Sequence, residues 1–246
     1  MDARDEYVER SYREQMEAAG LVAFTVVVQQ TDLRVLAERE LTREATESAR
    51  IARRTVEAWI ERDPAFGASL APVDCPADAP RLIREMCAAA RAAGVGPMAA
   101  VAGAIAQRVA EDLSPLSGNV IVENGGDTYL MGDQDRLVAI FAGRSPLSNR
   151  VALRIPGTRL PLSVCTSSGT VGPSLSFGRA DAAVIVARSG ALADAAASGV
   201  GNRVNAPTDV GGAVEWATGV PGLTHVVAIM GEQMAAWGEL ELVKLG

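Results

Sequence analysis

Apolar residues along the chain recur at two spacings, one typical of helices and one of strands. Helical spacing predicts helices over residues 42–63, 80–94 and 97–113, with Thr42 as the N-cap of the first. Asp63-Pro64 ends the first of these patterns and Gly94 ends the second. Further helices are predicted over these ranges: 2–18, 190–200 and 208–218.

Short apolar runs between turn-forming residues predict strands. The first two form a hairpin, with its turn at residues 31–32. The predicted strands are residues 21–29, 33–37, 119–123, 128–131, 137–142, 150–155, 182–187, 225–230 and 240–243.

Helices and strands mix along the chain without strict β-α-β alternation. This order predicts an α+β fold with a mixed β-sheet flanked by helices. The 246 residues are expected to form a single domain, with the Pro- and Asp-bearing loop at residues 65–79 as its one candidate internal boundary.

Composition and charge exclude several classes of function. Apolar residues make up 48% of the chain and the net charge is −7, which argues against nucleic acid and anionic membranes as partners. Lys244 is the only lysine and His225 the only histidine, so a multi-histidine metal site is excluded, and a Schiff-base or Walker-type lysine would rest on one residue.

The cysteines and the hydropathy profile both bear on location. Cys75, Cys87 and Cys165 form no CxxC pair, which argues against a disulfide framework or zinc site and suits a reducing compartment. No signal-like apolar segment opens the chain, and no apolar run reaches about 18 residues. We therefore expect a cytoplasmic protein, and the Ala-rich helices are also compatible with a homodimer face.

The segment Gly94-Val95-Gly96-Pro97-Met98-Ala99 matches a loose GxGxxA pattern. It lies between two predicted helices, which excludes a Rossmann loop because that loop follows a strand. Two interpretations remain: amides exposed after Pro97 could attract an anion, or the segment is a plain helix–helix corner.

Residues 123–127, Glu-Asn-Gly-Gly-Asp, lie between two predicted strands. Asn-Gly and Gly-Gly are strong hairpin-turn signals, which account for the glycines. They do not account for the polar groups beside an apolar run, so Asn124, Gly125, Gly126 and Asp127 are candidate ligand contacts.

Residues 165–170, Cys-Thr-Ser-Ser-Gly-Thr, combine hydroxyls with a glycine. Thr166, Ser167 and Gly169 could form a polar nest for phosphate oxygens. Cys165 is either an inert buried thiol or a candidate catalytic nucleophile, and no activating partner is evident in the sequence.

Asp194 and Ser198 are one helical turn apart in the predicted helix 190–200 and share a face. A carboxylate and a hydroxyl are hard oxygen ligands of the kind that Mg²⁺ binds together with substrate phosphate and water. The alternative is that Asp194 merely interacts with the dipole of its own helix.

Taken in order, four motifs resemble those of the ApbE superfamily, whose best-known members are magnesium-dependent flavin transferases that act on FAD. They are Gly-Ala-Ile-Ala at 103–106, Glu-Asn-Gly-Gly-Asp at 123–127, Cys-Thr-Ser-Ser-Gly-Thr at 165–170 and Ala-Asp-Ala at 193–195. The segments 94–106 and 176–182 are more similar to an uncharacterised cytoplasmic branch of that superfamily. The resemblance implies two similar, packed halves and a flavin or nucleotide ligand such as FAD or FMN.

The resemblance also implies roles for individual residues. It places Mg²⁺ on Asp194, Ser198 and a backbone oxygen near Ala104. The loops that would line the nucleotide site contribute Gly125, Gly126, Asp127, Thr166, Ser167 and Gly169.

Two departures separate this chain from the transferases. Gln107 stands where they usually carry a lysine, and residues 173–179 contain no histidine where they have a histidine-bearing segment. Losing a cation that contacts phosphate would remove a charge-assisted hydrogen bond of about 1.5–3 kcal/mol. An alternative function is therefore that of an accessory or cofactor-binding protein in sulfur assimilation into homocysteine, a process associated with the uncharacterised branch.

Overall fold

The helices follow the predicted apolar spacing closely. In the computed structural model, which describes residues 18, 20–170 and 177–245, Ala45, Ala49, Ala52, Val56 and Trp59 form the buried face of the first helix. The helix predicted over residues 2–18 lies outside the described residues apart from its last position. The helices are α1 Thr42–Arg62, α2 Pro64–Ala68, α3 Arg81–Ala93, α4 Val101–Leu113, α5 Gly190–Gly201 and α6 Val210–Thr218.

Two antiparallel sheets carry the strands. The strands are β1 Val22–Val28, β2 Thr31–Ala37, β3 Val120–Asn124, β4 Asp127–Met131, β5 Arg136–Ala139, β6 Val151–Ile155, β7 Leu162–Ser167, β8 Ala182–Ala187, β9 Leu223–Met230, β10 Gln233–Gly238 and β11 Glu241–Lys244. Within the described residues, the large sheet has the order β1-β2-β3-β4-β7-β8-β9-β10, and the small sheet the order β11-β6-β5.

The large sheet consists of two halves with the same plan, which meet where β4 pairs with β7. Each half is a hairpin, a helical excursion and a second hairpin: β1-β2, α1 to α4, β3-β4, then β7-β8, α5 and α6, β9-β10. Each excursion returns to an adjacent strand, so the neighbours run antiparallel. The α+β class is confirmed; every described strand pair is antiparallel, whereas the sequence pattern predicted a mixed sheet.

The large sheet is covered on both faces. Ile185 of β8 faces the core shared with the helices, and its neighbour Val184 faces the core shared with the small sheet. Successive strand residues point to opposite faces, so a strand covered on both sides must be apolar throughout. All six residues of β8 are buried, which explains its unbroken apolar sequence.

One helix N-cap, one short helix, two strands and one turn differ from the prediction. Leu41 rather than Thr42 is the N-cap of α1, and α2 lies where a loop was predicted. Both β7 and β10 were unpredicted, because β7 ends in hydroxyl residues that indicated a loop and β10 is exposed along most of its length. The first turn lies at Gln29 and Gln30, with Gln29 at φ +54°, rather than at residues 31–32.

The loop at residues 65–79 contributes to the main core. Phe66, in α2, is fully buried, and both Val73 and Cys75 pack against the cluster formed by the helices and the large sheet. The single-domain organisation stays a prediction. Over the described ranges, no single helix is long and apolar enough to cross a membrane, and the one pair that qualifies jointly, Arg81–Ala93 with Pro97–Leu113, is bent by 105°.

Candidate functional site

The four motifs that are far apart in sequence converge in space. Asp194 Oδ2 of α5 accepts a hydrogen bond from the N–H of Gly103 in the first turn of α4, at 2.8 Å. Asp127 at the start of β4 lies near enough to Asp194 and to Cys165 of β7 for all three to affect one another's protonation. We call this cluster, with the β3–β4 turn beside it, the candidate site.

Asp194 binds the free amino-terminal end of a neighbouring helix. The N–H groups of Ala102 and Gly103 lack partners within α4 and donate to its carboxylate. Desolvation raises the pKa of Asp194 to about 7, and these two hydrogen bonds partly oppose the rise. This carboxylate binds amides of α4 and not those directly after Pro97, where the Ala99 N–H is already paired within the corner itself. Both interpretations of the corner at Pro97 therefore stay predictions.

Asp127 is a buried carboxylate in the same cluster, with 7% of its surface exposed, whereas Asp194 is partly exposed. Burial raises its pKa well above the ordinary value, and the nearby charge of Asp194 raises it further. Hydrogen bonds from the Cys165 thiol and the Thr166 N–H act in the opposite direction. Asp127 Oδ1 has no hydrogen-bond partner within the described part of the chain.

Cys165 is completely buried on β7, with its Sγ 3.2 Å from Ser163 Oγ and 3.8 Å from the carbonyl oxygen of Gly190. Burial raises the pKa of the thiol well above the ordinary value, and the charges of Asp127 and Asp194 add to the effect. A nucleophilic cysteine needs an accessible thiolate. These surroundings keep the thiol protonated and shielded, which argues against a nucleophilic role.

The β3–β4 turn has the glycine conformations that the sequence predicts. Gly125 and Gly126 adopt φ +67° and +105°, which L side chains rarely adopt. The Gly126 N–H donates to Glu123 Oε1 at 2.7 Å, and Asn124 Nδ2 donates to the Ala102 carbonyl oxygen at 3.1 Å. Asn124 thus ties the hairpin to the start of α4.

The hydroxyl-rich segment lies at the end of β7. Thr166 and Ser167 are partly exposed, and the Thr166 carbonyl oxygen lies 3.7 Å from where a Cβ on Gly126 would stand. Gly169 is exposed, and its N–H donates to the Ala180 carbonyl oxygen at 2.9 Å. The structure therefore brings Thr166 to the β3–β4 turn, while the Gly169 amide is already paired.

The predicted metal ligands lie on the two crossing helices. Ser198 is partly exposed one turn beyond Asp194 on α5, and Ala104 follows Gly103 on α4. In the described residues, no group of three or more His, Cys, Asp or Glu side chains is arranged to hold a metal ion. A metal here would therefore need hydroxyl and carbonyl oxygens as well as carboxylates, and the ligand set stays a prediction.

Three residues in the cluster were absent from the predicted site. Glu123 is 1% exposed beside Asp127, and Gln107 Oε1 accepts a hydrogen bond from the Gly190 N–H at 2.7 Å. These three residues are Glu123, Gln107 and Gly190. The sequence holds one signal for Gln107 and Gly190, since Gln107 follows Gly103 by four positions as Asp194 follows Gly190.

A cleft of about 210 Å³ lies beside the cluster, between α1, α3 and α4. Ala104 and Gln107 line it, whereas Asp127 and Asp194 do not. Its charged wall is internally paired, since Arg81 contacts Glu85 at 2.6 Å and Glu111 at 3.8 Å. The cleft is therefore next to the candidate site but does not include its two aspartates.

The family model described as "AbpE bacteria" matches residues 13–217. The chain belongs to this family. A UPF0280 protein of Methanocella arvoryzae is 46% identical over 186 residues, which cover 75% of this chain and 76% of that protein. The resemblance to the ApbE superfamily is thereby confirmed.

Solved structures show the same fold. The apo form of the flavinyl transferase ApbE from Pseudomonas stutzeri matches with a TM-score of 0.51 and 12% identity, over 88% of this chain and 94% of that one. The ApbE protein from Thermotoga maritima matches with a TM-score of 0.52 and 12% identity, over 87% and 96%. At this identity, the likeness extends to the fold alone.

Proposed function

We propose that this member of the family binds a flavin or nucleotide pyrophosphate together with Mg²⁺ at the candidate site and acts on the pyrophosphate. The observation that carries the proposal is the proximity of Asp127 and Asp194, two carboxylates brought into one cluster from different motifs. The flavinyl transferase named among the structures of the same fold supports a flavin as the ligand.

The donor atoms fit magnesium. Asp127 Oδ1 is buried without a hydrogen-bond partner in the described chain, and such an atom favours a bound cation. Asp194, Ser198 and a backbone oxygen near Ala104 would complete a set made only of oxygen, which Mg²⁺ prefers to nitrogen or sulfur. Bound there, Mg²⁺ would neutralise charge on the pyrophosphate.

The other residues of the candidate site position the β3–β4 turn and would contact the ligand. Asn124 keeps the β3–β4 hairpin against the start of α4, and Glu123 orders the turn through the Gly126 N–H. Gly125 leaves the turn open to a ligand, since a Cβ there would meet nothing within 4 Å. Thr166 and Ser167 are the partly exposed hydroxyls placed to contact phosphate oxygens.

Thermal unfolding with FAD, FMN, ATP and AMP, each with and without Mg²⁺, tests the binding proposal. A ligand at 100 times its Kd should raise the free energy of unfolding by about 2.7 kcal/mol. Asp194→Asn keeps an oxygen for the Gly103 N–H and removes the charge, so the Mg²⁺-dependent part of the shift should disappear. Asp112→Asn, an exposed carboxylate elsewhere on α4, serves as the control.

Asp127→Asn sharpens the test. This carboxylate is desolvated beside another acid, so removing its charge should leave the ligand-free protein at least as stable while the Mg²⁺-dependent shift is lost. A Mg²⁺-dependent shift that persists in both Asp variants would overturn the assignment of the metal to this cluster.

A second candidate function is cofactor binding without transfer, as in an accessory protein of sulfur assimilation. It is favoured by Gln107, which is neutral and has both ends of its amide engaged within the protein. Incubation of the protein with FAD and Mg²⁺, followed by chromatography for FMN and AMP, separates the two functions. Release of either product supports chemistry on the pyrophosphate, whereas binding without release supports the accessory role.

A further inference from the structure

Helices α4 and α5 cross at their first turns, and each caps the other. The Gly103 N–H of α4 donates to Asp194 Oδ2 of α5 at 2.8 Å, and the Gly190 N–H of α5 donates to Gln107 Oε1 of α4 at 2.7 Å. In each helix, the side chain that caps the other helix stands four residues after that helix's own capped glycine: Gln107 follows Gly103 in α4, and Asp194 follows Gly190 in α5. The two bonds are therefore counterparts in the two halves of the molecule.

The backbones of the two helices touch at this crossing. A Cβ on Gly103 would lie 2.3 Å from the Gly190 carbonyl oxygen, and a Cβ on Gly190 would lie 2.3 Å from the Gly103 carbonyl oxygen. Neither distance is compatible with a side chain, so both positions require glycine. At such close approach, a small shift of α5 against α4 changes both hydrogen bonds together.

A glutamine at position 107 matches two different neighbours. Its Oε1 accepts from Gly190, and its Nε2 donates to Glu111 Oε1 at 2.7 Å, which orients the amide for the first bond. A lysine has three donors and no acceptor, so it could not receive the Gly190 N–H. An amide has both an acceptor and a donor, so Gln107 can pair with an N–H at the start of α5 and with a carboxylate at the same time.

We infer that Gln107 is a positioning residue, which places Asp194 in the candidate site by fixing the first turn of α5 against α4. The side chain of Asp194 projects from α5 one turn after Gly190. The position of its carboxylate therefore depends on the position of that first turn. The inference rests on the proposed function only for its effect on ligand binding. The two crossing hydrogen bonds, Gly103 to Asp194 and Gly190 to Gln107, which we call the clamp, form without any ligand.

Gln107→Met tests the inference, because methionine has a similar length and no strong acceptor. Loss of a group that orients a metal-binding residue typically weakens metal affinity about 10- to 100-fold. We expect the affinity for FAD with Mg²⁺ to fall by that factor. Ser48→Ala is the matched control, since it removes the 2.7 Å hydrogen bond from α1 to Asp112 at the far end of α4.

Exchanging the two partners should restore binding. In the Gln107→Glu, Glu111→Gln double variant, a carboxylate can accept from Gly190 and the amide at the next turn can donate to it. We expect its affinity for FAD with Mg²⁺ to be within about threefold of that of the parent protein, a difference of less than 1 kcal/mol. Weak binding by both Gln107→Met and the exchanged pair would show that the hydrogen-bond pattern is not what matters.

Amide hydrogen exchange tests whether Gln107 fixes α5 against α4, and this measurement does not require the protein to bind FAD. Gln107→Met should accelerate exchange at Gly190, which loses its acceptor, and also at Gly103, which is bonded to Asp194 and not to Gln107. Ser48→Ala should accelerate neither amide. Acceleration at Gly190 alone would overturn the inference, since Gln107 would then cap α5 without positioning Asp194.

These results distinguish the two proposals. Absence of FAD and Mg²⁺ binding by the parent protein would refute the proposed function, while the exchange rates would still test the clamp. If Gln107→Met does not fold, Gln107→Ala takes its place in the exchange measurement, since it also removes the acceptor for Gly190 and should accelerate exchange at both amides. Acceleration at Gly190 alone in that variant would refute the clamp.

Discussion

Gly103→Ala perturbs the crossing of α4 and α5 directly. The new Cβ would lie 2.3 Å from the Gly190 carbonyl oxygen and 2.8 Å from Asp194 Cβ, so α5 must move by about 1 Å to reach ordinary contact distances. That shift costs about 1–3 kcal/mol in overpacking and lengthens both crossing hydrogen bonds, at about 0.5–1.5 kcal/mol each. Alanine returns about 1 kcal/mol through its helix propensity. We expect a net loss of about 3 kcal/mol.

Chemical denaturation measures this loss, which corresponds to a Tm lower by about 6–12 °C for a chain of this size. Gly212→Ala is the control: it lies in α6, where a Cβ would meet nothing within 4 Å, and should stabilise by about 0.5–1 kcal/mol. A Gly103→Ala protein as stable as its parent would refute the close approach of the two helices.

Three further predictions concern other parts of the molecule. Phe66→Ala should lower the free energy of unfolding in denaturant by about 3–5 kcal/mol, because this ring is fully buried; a loss below about 1 kcal/mol would contradict its burial. Burial lowers the pKa of His225, so below about pH 6.5 the unfolded state takes up a proton that the folded state refuses. The parent protein should therefore lose stability relative to His225→Gln as the pH falls from 7.5 to 5.5, and a constant difference would disprove this. Iodoacetamide should label the partly exposed Cys75 in the native protein and spare Cys165 until denaturant is added; equal labelling rates would contradict the shielding of Cys165.

The helices were predictable because their periodicity reflects burial. The buried face of α1 coincides with the apolar residues that predicted it, and Gly94 ends α3 in the left-handed conformation. Strand β7 was missed because its hydroxyl end pairs with β8 despite a loop-like composition. Strand β10 was missed because an exposed edge strand carries no alternating apolar pattern.

The candidate site was predictable as a set of motifs and not as an arrangement. The resemblance identified Asp127 and Asp194, and the structure brings them together. The sequence predicts Asn124 as a ligand contact, which stays a prediction, and it shows that Gln107 replaces a lysine of the transferases. Only the structure shows that each of these side chains is hydrogen-bonded to a neighbouring helix. Which partner a polar side chain meets depends on elements that are distant in sequence.

Five of the six described α-helices, most of the strands, the glycine turn at residues 125–126 and the family can be inferred from the order of the amino acids, because each rests on local periodicity, turn chemistry or motif order. Three other features became visible only in the folded chain: Cys165 is buried, Asp194 caps α4 and Gln107 caps α5. Burial and hydrogen bonding of these side chains arise from contacts across as many as 91 positions of the chain. Local sequence patterns do not encode such contacts, because they form only when the two halves pack.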